Sequence, residues 1–85
     1  MDKRTIVRRL ADLDETLADF EPKHRPSWQL AQIYNTLLEE ARRTAPKDPV
    51  VKVIEPVRQS LRGGAATDCG TLRAATSQLL GALGR

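Results

Sequence analysis

His24 and Cys69 are the side chains of this sequence best suited to proton transfer or covalent chemistry, since imidazole titrates near neutral pH and a thiolate is a strong nucleophile. Each residue type occurs once among the 85 residues. A single His supplies one metal ligand, and no acidic residue stands at a recognisable ligand spacing from it. A solvated loop histidine therefore accounts for His24. Cys69 falls in the predicted first turn of a helix, where the dipole would favour a thiolate, but a lone Cys is more often a small buried apolar side chain. It has no intramolecular disulfide partner and no second thiol with which to build a metal cluster. A Cys69 and His24 dyad would need distant segments to meet, and no pattern in the sequence indicates that they do. No catalytic residue, cofactor site or metal site is assigned, and a small enzyme using His24 or Cys69 stands as the last of three alternatives.

Side chains suited to binding are more numerous. Arg4, Arg8 and Arg9, with Lys3, form the one concentrated basic patch, a candidate for phosphate contact. Four acids, Asp12, Asp14, Glu15 and Asp19, follow in the same segment, so a solvated, salt-bridged face explains the patch without nucleic acid. Trp28 is a candidate anchor for a partner and equally a candidate core residue in a chain with one Trp, one Tyr and one Phe. Tyr34 reads the same way, with its hydroxyl expected to reach solvent. Trp28, Tyr34, Arg4, Arg8 and Arg9 are the candidate partner contacts.

Composition narrows the class. The chain is 40% hydrophobic and 29% charged, as expected of a globular domain and not of a disordered one. The net charge of +3 is thinly spread, and ten of the 14 basic residues are Arg, which fits Arg-rich codon usage as well as forked hydrogen bonding. No apolar run approaches the roughly 20 residues that cross a bilayer. The first residues lead into an amphipathic pattern with no signal-peptide apolar segment, so a cytoplasmic protein without a membrane span is expected. A chain this short buries a small core, about 60 to 65% of the surface its unfolded form exposes. Self-association would add to that burial.

The elements that must position these residues are helices. Apolar residues recur three or four positions apart in four segments, predicting an all-α, compact four-helix bundle in one domain, with helices at about 3–19, 27–44, 49–62 and 67–83. The first stripe is Ile6, Leu10, Leu13, Leu17 and Phe20, with Asp2 as N-cap. Its basic N-terminal half and acidic C-terminal half oppose the helix dipole. An antiparallel second helix would compensate, bringing Glu39 and Glu40 to the basic end and Lys23 and Arg25 to the acidic one. Pro22 and Pro26 bar helix between the two segments, and Ser27 is placed to cap the next. That helix carries Trp28, Leu30, Ile33, Tyr34, Leu37, Leu38 and Ala41, a stripe broad enough for two neighbours, which marks it as the central helix. Asp48 and Pro49 form a helix start. Val50, Ile54, Val57 and Leu61 keep helical spacing beyond it, but the β-branched run and Pro56 predict a third helix kinked or broken near Pro56. Gly63 and Gly64 should stop it. Asp68 or Thr67 then opens a fourth helix with Leu72, Ala75, Leu79 and Leu83 inward, and Ala74, Ala75, Gly81 and Ala82 small enough for another helix to come close.

The stretch Pro-Ser-Trp-Gln-Leu-Ala-Gln-Ile-Tyr-Asn-Thr-Leu-Leu-Glu-Glu-Ala-Arg-Arg at positions 26–43, with the Ala, Arg and Leu usage, resembles small uncharacterised helical proteins of actinobacteria. The resemblance implies a helical fold and carries no activity, cofactor or site residue with it. The chain departs from small helical chorismate mutases, which open with one long uninterrupted helix, because Pro22 and Pro26 end the first helix early. With four apolar stripes and no clustered polar chemistry, the sequence points to a non-enzymatic helical protein acting through association, as a homo-oligomer or with another protein. Weak nucleic-acid binding through the basic start of the first helix is the alternative, and the sparse basic excess argues against it.

Overall fold

The computed structural model describes residues 1–60 and 63–84. Four helices occur among the described residues: α1 (Lys3–Ala18), α2 (Trp28–Thr44), α3 (Pro49–Val53) and α4 (Cys69–Leu83). The architecture is all-α, as the periodicity predicts, and no helix among the described residues is long and apolar enough to cross a membrane.

Three of the four helix starts are fixed by an acidic cap. Asp2 accepts from the Thr5 N–H at 2.8 Å, Asp48 from Val50 and Val51 at 2.9 and 3.2 Å, and Asp68 from Thr71 at 2.8 Å. Each satisfies amides that the first turn leaves without a partner. Ser27 occupies the N-cap of α2 but its hydroxyl makes no capping bond.

α1 and α2 are antiparallel, with the Met1 ammonium 3.4 Å from Glu40 at the far end of α2. The acidic half of α1 is matched differently from expectation. α4 also runs antiparallel to α1, and Asp14 meets Arg73 at 3.2 Å and Ser77 at 3.4 Å. Lys23 and Arg25 form no ion pair among the described residues. α1, not α2, has the most extensive packing, first with α4 and then with α2. The physical reason lies in α4, whose Leu72, Leu79 and Leu83 need a long apolar partner and find it in Ile6, Leu10, Leu13 and Leu17.

Two residues leave their predicted stripes. Phe20 lies beyond the last turn of α1 and is 40% exposed, its ring stacked on His24 with centroids 5.3 Å apart. Ile33 is 47% exposed. Tyr34 differs in the opposite sense: it is fully buried, and its hydroxyl has no hydrogen-bond partner among the described residues.

The third segment departs most. α3 ends at Val53, and helix does not resume in residues 54–60. Glu55 precedes a proline and is biased away from helical geometry, while the β-branched Val50, Val51, Val53 and Ile54 have little propensity to resist. The liberated backbone finds long-range partners. Asn35 donates its Nδ2 to the Val57 carbonyl and accepts the Val57 N–H, both at 2.8 Å. Arg42 donates to the carbonyls of Val51 and Ile54 at the end of α3. The chain then folds back, with Ser60 N–H on Gly64 O at 2.7 Å and Ala66 N–H on Arg58 O at 2.8 Å. Gly63, at φ 82°, turns this hairpin instead of stopping a helix. Leu61 and the predicted helix end at 62 lie outside the described residues.

α4 is anchored at its first turn. Cys69 N–H donates to His24 O at 2.7 Å and Gly70 N–H to Pro22 O at 2.9 Å, so the double-proline loop supplies acceptors for amides that Asp68 leaves unserved. A Cβ on Gly70 would stand 3.0 Å from Pro22 Cβ and 3.2 Å from its carbonyl oxygen. Close approach therefore occurs at Gly70. At Gly81, where the sequence predicts close approach of another helix, a Cβ would meet nothing within 4 Å.

Candidate protein-interaction surface

α1 and α2 meet along a shallow groove with Ile33 at its middle. Ile33 lies about 100° around α2 from Tyr34, which occupies the centre of the buried face, so it falls at the edge of the stripe and projects outward. It lines two hollows. One, of about 380 Å³, is shared with Met1, Arg9, Gln29, Gln32, Thr36 and Leu37. The other, of about 300 Å³, is shared with Arg9, Asp12, Leu13, Thr16 and Leu30. Met1 is 47% exposed, so two of the four exposed large apolar side chains among the described residues, Met1 and Ile33, face this groove; Phe20 and Val53 do not line it. Leu13 and Leu37 are buried and give the groove an apolar floor continuous with the core. On its rim stand one positive charge, Arg9, and one negative, Asp12. Neither has an ion-pair partner among the described residues.

The predicted contact residues are divided by this geometry. Arg9 belongs to the groove, whereas Arg4 and Arg8, one turn apart on another face of α1, flank a hollow of about 420 Å³ with Thr5 and Val7. The sequence cluster is thus two sites. Trp28 is half-buried at the first residue of α2. Tyr34 cannot reach a partner from the interior, and burial pushes its pKa up to about 12, with the positive charge of Arg42 opposing the shift.

His24 and Cys69 are joined through the backbone alone. The imidazole lies exposed against Phe20, the thiol is buried, and no side-chain hydrogen bond connects them among the described residues. Burial pushes the Cys69 pKa up, and the Asp68 charge adds to the effect. Both act against the thiolate that nucleophilic chemistry needs. Neither residue lines a hollow described above. A further hollow of about 290 Å³ lies between residues 55–58 and α4, lined by Pro56, Val57, Thr71, Leu72 and Ala75 among others. Among the described residues, no group of three or more His, Cys, Asp or Glu side chains gathers as a metal site.

Sequence reasoning missed Asn35, Arg42 and Gly70, which position segments instead of forming a surface. A polar Asn and an Arg seven positions apart, beside the apolar stripe of α2, are the only local traces of the first two. Gly70 leaves none, because its constraint comes from Pro22, 48 positions away. No family model, curated protein or solved structure matches the chain.

Proposed function

We propose that this chain is a non-enzymatic helical protein that works by associating with protein through the groove between α1 and α2. The observation that carries this is Ile33, a mid-helix apolar side chain left 47% exposed between two hollows. Leaving it in water forgoes burial worth roughly 1.5–3 kcal/mol for a fully covered side chain of this type, and exposed apolar positions clustered on a groove mark interaction surfaces more often than scattered ones do. A single cysteine with no disulfide partner in the chain suits a reducing compartment, so the cytoplasm is the proposed location.

A photoreactive residue at position 33, introduced in the cells that make the protein, tests the proposal. It should give a discrete cross-linked product that the same residue at exposed Gln78 does not give. Excess wild-type protein should compete that product away, and excess Ile33→Glu protein should not. Absence of a product at position 33 would remove the basis for association through this groove.

One observation favours a second reading. Arg4 and Arg8 are exposed and make no ion pair among the described residues, which leaves two cations free for phosphate. Fluorescence polarisation with single- and double-stranded oligonucleotides at low salt would detect such binding. Binding unchanged in the Arg4→Ala/Arg8→Ala variant, or no binding at all, would rule it out.

A further inference from the structure

We infer that the occupant of the α1/α2 groove is a second copy of this chain, docked across a two-fold axis that crosses the groove at the level of Ile33. This rests on the association proposed above and names its partner.

Two-fold contact demands that one face carry both members of every complementary pair. The groove does so in shape. Ile33 is a projecting knob, and the hollows it borders are sockets on the same face, so an axis passing beside Ile33 seats each copy's knob in a socket of the other. It does so in charge as well. The axis sets the two α1 helices antiparallel, which brings Arg9 over Asp12 of the second copy and Asp12 over its Arg9. Among the described residues these are the charged side chains lining the two hollows, and the Met1 ammonium, which borders the first, is already paired with Glu40. On the α2 side the rim is Gln29, Gln32 and Thr36, uncharged residues that face their own counterparts without repulsion. A strongly acidic or basic partner would find no matching field on a rim that sums to zero.

The extent is sufficient. α1 spans 16 residues and α2 17, so the two run side by side for about 24 Å at 1.5 Å per residue. A face of that length suits an interface at the small end of the specific range, about 600–800 Å² per partner. Total accessible surface is 5692 Å², so such a dimer covers about a tenth to a seventh of each copy.

Sedimentation velocity on the purified chain, from low micromolar to about millimolar concentration, should show a monomer–dimer equilibrium. Ile33→Glu should abolish the dimer while the helical circular dichroism is retained. Arg9→Asp alone and Asp12→Arg alone should each weaken dimerisation by about tenfold, because each disturbs two symmetry-related rim pairs. The double variant Arg9→Asp/Asp12→Arg should restore it, since the swapped charges again meet across the axis. A wild-type chain that stays monomeric throughout overturns the inference. So does a dimer indifferent to Ile33→Glu and to the charge reversals. In either case, the cross-linking experiment at position 33 shows separately whether the groove takes a different protein or none.

Discussion

Tyr34 carries the largest tension at a single residue, a phenol in the core whose hydroxyl is unpaired among the described residues. An unsatisfied buried hydroxyl costs about 1–3 kcal/mol, so Tyr34→Phe should leave stability unchanged or raise it by about 1 kcal/mol in urea unfolding. The same residue predicts an alkaline limit. Its folded pKa of about 12 lies above the ordinary value of 10.0, so the folded state keeps a proton that the unfolded chain gives up. Stability contributed by the neutral phenol is fully present below pH 10 and is lost as pH rises toward 12, by on the order of 2–3 kcal/mol. The Phe variant should lose less over that window, and Cys69, raised in the same direction, should account for part of what remains. Two glycines give opposite expectations for one substitution. Gly70→Ala drives a methyl against the Pro22 backbone and should cost about 1–3 kcal/mol. Gly81→Ala meets open space and should stabilise α4 by about 0.5–1 kcal/mol. Equal effects at the two positions would show that the α4 start does not press on the double-proline loop.

At the scale of elements, the molecule pairs well-capped long helices with one segment that owes its shape to others. Asp2 and Asp68 are held below the ordinary carboxylate value of 3.8, chiefly by hydrogen bonds from Thr5 and Thr71 respectively. Their capping contribution is therefore present above about that pH and fades as pH falls through the lower folded values. Residues 54–60 have no helix of their own to rely on. Asn35→Ala removes both hydrogen bonds to Val57, so stability should fall by about 1–3 kcal/mol and the Val57 amide should exchange faster, while amides in the middle of α1 and α4 stay protected. Uniform loss of protection across α1, α2 and α4 would instead show that the segment is integral to the core. This contrast also explains what was legible in the sequence. Helix existence, the antiparallel hairpin and the caps Asp2, Asp48 and Asp68 are encoded locally, in period and in residues adjacent to the elements. The break near Pro56 is also local, but the course of residues 54–60 after it depends on Asn35 and Arg42, and those bonds join positions nine to 22 apart. Ile33 carries the same apolar signal as its buried neighbours and is told from them only by the side from which α1 approaches. The groove it occupies was therefore invisible to spacing alone, although Arg9 on its rim stood among the candidate contacts.

For the whole molecule, the helix ends and the charge pattern leave the groove as the surface with most to gain from a partner. The first amides of α4 are consumed by the Pro22–His24 loop and Asp68, so that helix end offers nothing to an anion. Arg73 and Asp14 satisfy one another. Burial of Ile33 and Met1 against a second copy would add to a core that a chain of 85 residues keeps small. Dimerisation of the folded state makes thermal stability depend on concentration, because unfolding then releases two chains. With about 0.7 kcal/mol of unfolding enthalpy per residue, two copies absorb about 120 kcal/mol, and a tenfold rise in concentration adds about 1.4 kcal/mol of mass action. Above the dissociation constant, Tm should climb by about 4 °C per tenfold increase in protein. Differential scanning calorimetry over two decades of concentration would read this slope directly. Ile33→Glu should give a flat line at a Tm no lower than that of dilute wild type, since the side chain it replaces is already half in water in the single chain. A slope that persists in the variant would place the self-contact on another face of the molecule.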